Sequence, residues 1–163
     1  MMSVKKAAGL LGLLLILQTP SLAHSEMAGQ LIFENFKNEL YVKSIIDKRM
    51  LSLALMQEAD CTPDQMISIC GDEYLQEHIQ ITVNCQQVTY EKVSVTLEKN
   101  AVVYTYRMIK ADEPIASVSV TSDFLLRYNE HAFVRTQFAI DNISKSFDLK
   151  ASKKTIEANF LQP

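Results

Sequence analysis

Three histidines and three cysteines are the side chains in this sequence best suited to chemistry: His24, His78 and His131, and Cys61, Cys70 and Cys85. His24 follows Ser21-Leu22-Ala23, which has small residues at the two positions that a signal peptidase reads. Cleavage after Ala23 would free an α-amino group beside the His24 imidazole. Together they can chelate one metal ion, and imidazole suits copper and nickel. The amine has an ordinary pKa of about 8, so near neutral pH it yields its proton to a metal at modest cost. His131 or His78 could complete a three-nitrogen site. The competing readings are plain ones. A terminal histidine commonly binds nothing specific, His78 packs at a helix end, and His131 sits on an exposed loop. Met56, Met66 and Met108 are spread apart, which counts against a methionine-based copper site.

The odd number of cysteines allows at most one internal bridge and leaves one thiol over. Cys61 and Cys70 are expected to pair. They flank CTPDQMISIC, where Thr62 reads as an N-cap, Pro63 as the first helical residue and Gln65 as the partner of a capping box. Closing so short a loop contributes roughly 2–3 kcal/mol on the chain-entropy model. A zinc site lacks both the short paired spacings and a fourth ligand. Cys85 ends an alternating strand, where a buried and inert thiol is expected. That disfavours a nucleophile pair of Cys85 with His78 or His131.

No G-x-S-x-G elbow, H-E-x-x-H pair or glycine-rich phosphate loop is present, and beyond the leader the only glycines are Gly29 and Gly71. Glu130, Asp141 and Asp148 are scattered among polar and basic residues and read as solvated surface. The chain is therefore expected not to be an enzyme and to have no dedicated cofactor pocket, copper or nickel at His24 aside.

Residues 1–23 read as a signal peptide. Lys5 and Lys6 precede an apolar run, Ala7–Leu17, of about 11 residues, short of the roughly 20 that span a bilayer as a helix. No second long apolar run follows, so residues 24–163 are expected to form one domain, periplasmic or secreted, with no membrane span. Removing Lys5 and Lys6 leaves 14 basic against 19 acidic residues, a net charge of −5. A nucleic-acid partner is excluded on that balance, because no basic patch is visible.

From Ile79 onward the pattern is strand-like. Ile79–Val83 alternates, and so do Val93, Val95 and Leu97 against Ser94, Thr96 and Glu98. Lys99-Asn100 predicts a turn into Ala101–Ile109, which is rich in β-branched and aromatic residues. Ala111–Pro114 turns into Ile115–Val120. Val134, Thr136, Phe138 and Ile140 share one face of a later strand, and Asp141-Asn142 turns it into a strand with Phe147 and Leu149 on one face. Between them TSDFLLRYNEHAF reads as a loop with a helical turn, anchored by Phe124 to Leu126. Regularly spaced short strands point to an antiparallel sandwich or barrel. Asp64–His78 reads as helix. Residues 27–59 fit two patterns: a long helix, with Ile32, Phe36 and Leu40 at four-residue steps, or a hairpin turning at Lys37-Asn38.

The segments YLQEHIQITVNCQQVTYEKV and IASVSVTSDFLLRYNEHAFVRTQFAIDNISKSFDL resemble a group of small secreted bacterial domains similar to the periplasmic N-terminal region of HupE/UreJ-type membrane proteins. Ala23-His24, Tyr74-Leu75 with His78, and Phe124-Leu125-Leu126 with His131 stand where that pattern puts them. The three cysteines are not part of it, and the membrane helices of those proteins have no counterpart here. The resemblance implies the hairpin for residues 28–47. The expected fold is then mainly β, an antiparallel, immunoglobulin-like sandwich with one or two helices inserted between its second and third strands. The alternative is an α+β fold with an N-terminal helix on an antiparallel sheet. The function expected is that of an exported, non-catalytic binding or accessory domain of the bacterial cell envelope, docking a cell-envelope or membrane protein partner. A periplasmic copper- or nickel-binding protein using His24 is the alternative.

Overall fold

A computed structural model describes residues 26–36, 39–58, 61, 66–109 and 113–160. The leader, His24, the Lys37-Asn38 turn, the capping residues Thr62 to Gln65, and Ala111 and Asp112 of the turn at 111–114 lie outside the described residues.

Residues 27–36 and 39–47 form the two arms of the hairpin. β1 (Met27–Phe36) and β2 (Glu39–Asp47) pair antiparallel, with Phe36 opposite Glu39 and Gly29 opposite Ile46. The four-residue recurrence of Ile32, Phe36 and Leu40 permits a helix, but β2 alternates without a break. Leu40, Val42, Ser44 and Ile46 face the core, while Tyr41, Lys43 and Ile45 face outward. A one-residue slip would bury Lys43 and expose Leu40, so the period of two fixes both element and register.

Asp47 ends β2 and starts α1 (Lys48–Glu58). Its carboxylate accepts hydrogen bonds from the backbone N–H of Arg49 at 2.9 Å and Met50 at 3.1 Å, an N-cap. α1 buries Leu51, Ala54 and Leu55. A π-helical turn (Met66–Cys70) leads into α2 (Gly71–His78), which buries Tyr74 and Leu75. The predicted Cys61–Cys70 disulfide is present, with Cα atoms 6.5 Å apart. The helices thus fall between the second and third strands.

Eight further strands follow: β3 (Ile79–Val83), β4 (Gln86–Gln87), β5 (Thr89–Leu97), β6 (Ala101–Ile109), β7 (Ser117–Ser122), β8 (Phe133–Ile140), β9 (Ile143–Lys150) and β10 (Thr155–Asn159). They form a β-sandwich of two sheets. One has six strands in the order β5-β6-β2-β1-β8-β9, the other four in the order β10-β7-β3-β4. The core contains Phe33, Tyr104 and Phe138 from the first sheet and Ile81, Val118, Val120 and Ile156 from the second. Each such side chain contributes roughly 1.5–3 kcal/mol on burial. Two-residue turns at Asn84-Cys85 and Asp141-Asn142 have positive φ at both positions (51° and 64°, 49° and 67°), the backbone that suits the twist of a tight hairpin.

Four features depart from the sequence expectation. β1 and β8 pair in parallel, so the larger sheet is mixed rather than wholly antiparallel. β10 arises from TIEAN, a stretch too short and too polar to read as a strand alone. β7 begins at Ser117, with Ile115 buried just outside it. In β5 a bulge between Lys92 and Ser94 breaks the alternation on a sheet edge. Val93, read as sharing a face with Val95 and Leu97, is the bulged residue and is 55% exposed; Leu97, opposite buried Val102 near the end of the edge strand, is 59% exposed. Among the described residues, no helix is long and apolar enough to cross a membrane.

Candidate binding cleft at the crossing loop

β7 belongs to the four-stranded sheet and β8 to the six-stranded one, so residues 123–132 must cross from one layer to the other. This loop is anchored from inside. Phe124, Leu125 and Leu126 are 0–2% exposed. The Ser122 hydroxyl accepts the N–H of Phe124 at 3.2 Å, and the Tyr74 hydroxyl accepts that of Leu125 at 3.3 Å. Gly29 makes room for the anchor: a Cβ there would lie 3.2 Å from Phe124 Cζ and 3.1 Å from the Ile45 carbonyl oxygen. Leu125 has φ 60°, a strained backbone for a branched residue, of the kind concentrated at functional sites.

With the apolar residues pinned inward, Asp123 and Arg127 line a cleft of about 400 Å³. α2 ends there in His78, whose ring packs against Tyr74 at 4.4 Å between centroids. His78 Nδ1 lies 2.9 Å from Asp123 Oδ1. Arg127 Nη2 donates to Asp123 Oδ2 at 2.8 Å, and Lys154 Nζ stands 3.9 Å from the same oxygen. Burial opposes ionisation of Asp123, but hydrogen bonds from His78 and Arg127 outweigh it and hold the carboxyl below its ordinary range. Glu77, Gln80, Thr121 and Ser122 complete the wall, so every lining side chain is polar. Two acidic groups, Glu77 and Asp123, stand there against two basic ones, Arg127 and Lys154. Such a cleft offers donors and acceptors in fixed positions and can orient a hydroxyl- or amide-bearing ligand.

Of the metal candidates, His78 is engaged in this cleft. His131 sits on the same loop, exposed, with Nε2 3.5 Å from the Glu130 carboxylate and its backbone N–H donating to Asn129 Oδ1 at 2.9 Å. His24 lies outside the described residues. Among the described residues, no three His, Cys, Asp or Glu side chains gather closely enough to hold a metal ion. A second cleft of about 560 Å³ also involves this loop, lined by residues that include Met27, Arg49, Leu53 and Asn129. The expectation of a buried Cys85 is corrected. Cys85 occupies the β3–β4 turn and is exposed, because the strand ends at Val83 and the turn carries its thiol out of the core.

A further set of titratable groups docks the helices on the six-stranded sheet. Asp72 accepts from the Tyr106 hydroxyl at 3.0 Å and pairs with Lys92 at 2.7 Å, and the Tyr104 hydroxyl donates to the Ile67 carbonyl. Burial, then the charge of Asp72, pushes the phenol of Tyr90 up to about 12 and those of Tyr104 and Tyr106 higher still.

Sequence reasoning singled out His78 but missed Asp123, Arg127 and Lys154. Asp123 and Arg127 fell within the stretch read as a loop with a helical turn. Their four-residue spacing is that of a helical ion pair and was the available signal. Lys154 lies far along the chain and is brought in by β10, which the sequence did not reveal. No protein-family model matches the chain, and a search of curated proteins finds no significant relative.

Proposed function

We propose that this chain is an exported, non-catalytic binding module of the bacterial cell envelope, acting in the periplasm or outside the cell. The observation that carries the reading is the all-polar cleft at the crossing loop, whose His78 and Arg127 are held in place by Asp123 before any ligand arrives. Preorganisation of this kind lowers the entropy lost on binding. The Cys61–Cys70 disulfide suits an oxidising compartment. Docking by strand addition is discouraged at two of the four edges, since β5 is bulged and β4 has only two residues.

The test is sedimentation of mature protein with purified bacterial envelope material. Wild type is expected in the pellet, and Arg127→Glu, folded by circular dichroism, is expected to lose at least three-quarters of that binding. A wild-type chain that stays in the supernatant, or a variant that binds equally, refutes the assignment. N-terminal sequencing of exported protein checks the compartment and should begin at His24.

A second reading, copper or nickel binding at a freed His24, has one observation in its favour. Phe133 N–H donates to the Glu26 carbonyl at 3.0 Å, fixing the chain two residues beyond His24 beside the loop that carries exposed His131. Two residues span at most about 7 Å, so that loop lies within reach of the His24 amine and imidazole. Calorimetry with Cu(II) tests it: protein beginning at His24 should bind, and one extra residue ahead of His24 should abolish the heat. Equal heats from both forms refute it.

A further inference from the structure

The outer face of the four-stranded sheet continues the cleft, and its chemistry is unusual. Pairing aligns Gln80, Thr121 and Thr155 in one row and Thr82, Ser119 and Glu157 in the next. The first row reaches the cleft itself, since Gln80 and Thr121 line it. Ser117 and Asn159 pair beyond the second row. The alternate residues, among them Ile81, Val118, Val120 and Ile156, are buried, so the polar rows face out as a set. Glu157 is the one charged residue in the four strands.

We infer that this face and the adjoining cleft bind a neutral, hydroxyl-rich glycan, an inference that rests on the binding-module reading. A protein partner would require apolar or aromatic anchors, which the rows lack. A nucleic acid or anionic lipid would require an excess of cations; the rows have none, and Arg127 and Lys154 in the cleft are matched by Glu77 and Asp123. A sugar hydroxyl both donates and accepts, as do Ser and Thr hydroxyls and the amides of Gln and Asn. Glu157 aside, the rows are uncharged like the ligand, so little charge must be stripped of water on either side. Neighbouring strands lie about 4.8 Å apart, which sets hydroxyl and amide groups at roughly the width of a sugar ring. Each contact is weak, so affinity comes from repeated engagement along a polymer.

Affinity electrophoresis tests this with mature protein in native gels containing dextran, mannan or xylan. At least one of these neutral polysaccharides should retard wild type relative to a gel without polymer. Ser119→Lys, in the middle of the face, should lose the retardation, and so should Gln80→Lys, an exposed position whose change leaves the fold intact. Lys43→Ala on the other sheet should keep it. Absence of retardation in all three gels, or equal retardation of both lysine variants and wild type, overturns the glycan assignment. The two readings fail separately. Envelope sedimentation without retardation leaves the module and removes the glycan. Retardation without sedimentation supports the glycan and removes the envelope as its location.

Discussion

The two solvent-facing sheet surfaces of this sandwich obey the same alternation and yet carry opposite chemistry. On the six-stranded sheet every strand contributes at least one charge, and the charges meet across strands. Lys43 pairs with Glu34 at 2.8 Å, Arg135 with Asp148 at 3.1 Å, and Arg107 bridges Glu39 and Glu91. On the four-stranded sheet hydroxyls and amides take those places, as in the 2.9 Å bond between Thr121 and Thr155. A charge-laced face holds its water and resists association, particularly near an exposed edge such as β5. A neutral hydrogen-bonding face is cheaper to dehydrate when its partner matches it. Burial alone does not separate the two surfaces, but the type of polar residue does.

The largest expected effect belongs to the six-stranded side and appears at high pH. Tyr90, Tyr104 and Tyr106 have phenols whose folded pKa values are raised, first by burial and then by Asp72. The stability they contribute is complete below the unfolded value near 10 and is lost as pH rises from there through the folded values. Each phenol that ionises only in the unfolded chain lowers stability by about 1.4 kcal/mol per pH unit, and all three by roughly 4. Urea midpoints measured between pH 9 and pH 12 should fall steeply, and Tyr106→Phe should make the slope shallower by about one third. An unchanged slope in that variant would mean the phenols ionise in place.

The four-stranded side should respond instead to acid, and less strongly. Asp123 has a depressed folded pKa, so its contribution is present above the unfolded value near 4 and disappears as pH falls through the folded value. Asp123 is about one-third exposed and therefore partly screened. Melting temperature followed from pH 6 to pH 2 should drop less for Asp123→Asn than for wild type, with the two curves converging at the acid end. Curves that stay parallel would remove Asp123 as the organiser of the cleft. At pH 7 the same variant should bind envelope material less well than wild type, since His78 and Arg127 lose their shared anchor.

Much of this division was legible in the sequence where period and chemistry agree. The alternation in Ile79–Val83 and in Val134 to Ile140, the positive-φ turn at Asp141-Asn142 and the apolar anchor Phe124 to Leu126 all state local requirements that tertiary structure merely satisfies. The Cys61–Cys70 pairing was legible because the short loop leaves few alternatives. The parallel match of β1 with β8 was not, since it joins residues more than a hundred positions apart and neither strand records its neighbour. β10 is held by pairing with β7 rather than by its own composition. The bulge in β5 was hidden for the converse reason: a regular VSVTL pattern persists in sequence after the backbone has slipped by one. His78 was visible as a side chain, but its site depends on Asp123, Arg127 and Lys154, which only the layer crossing assembles.

The smallest expected effect is the one that compares the two faces most directly. Lys43 and Glu34 lie on neighbouring strands with side chains 42% and 45% exposed, so a double-mutant cycle to alanine should give only about 0.2–1 kcal/mol of coupling. The Thr121–Thr155 cycle, to valine at both positions, should give a similar value, since cross-strand hydroxyl pairs contribute on the same scale. Salt separates them. Raising ionic strength from 0.01 M to 1 M shortens the screening length from about 30 Å to 3 Å. The Lys43–Glu34 coupling should shrink by at least half, and the Thr121–Thr155 coupling should not move. If both couplings weaken together, the four-stranded face is not electrostatically distinct from its counterpart, and the argument for a neutral ligand loses its footing.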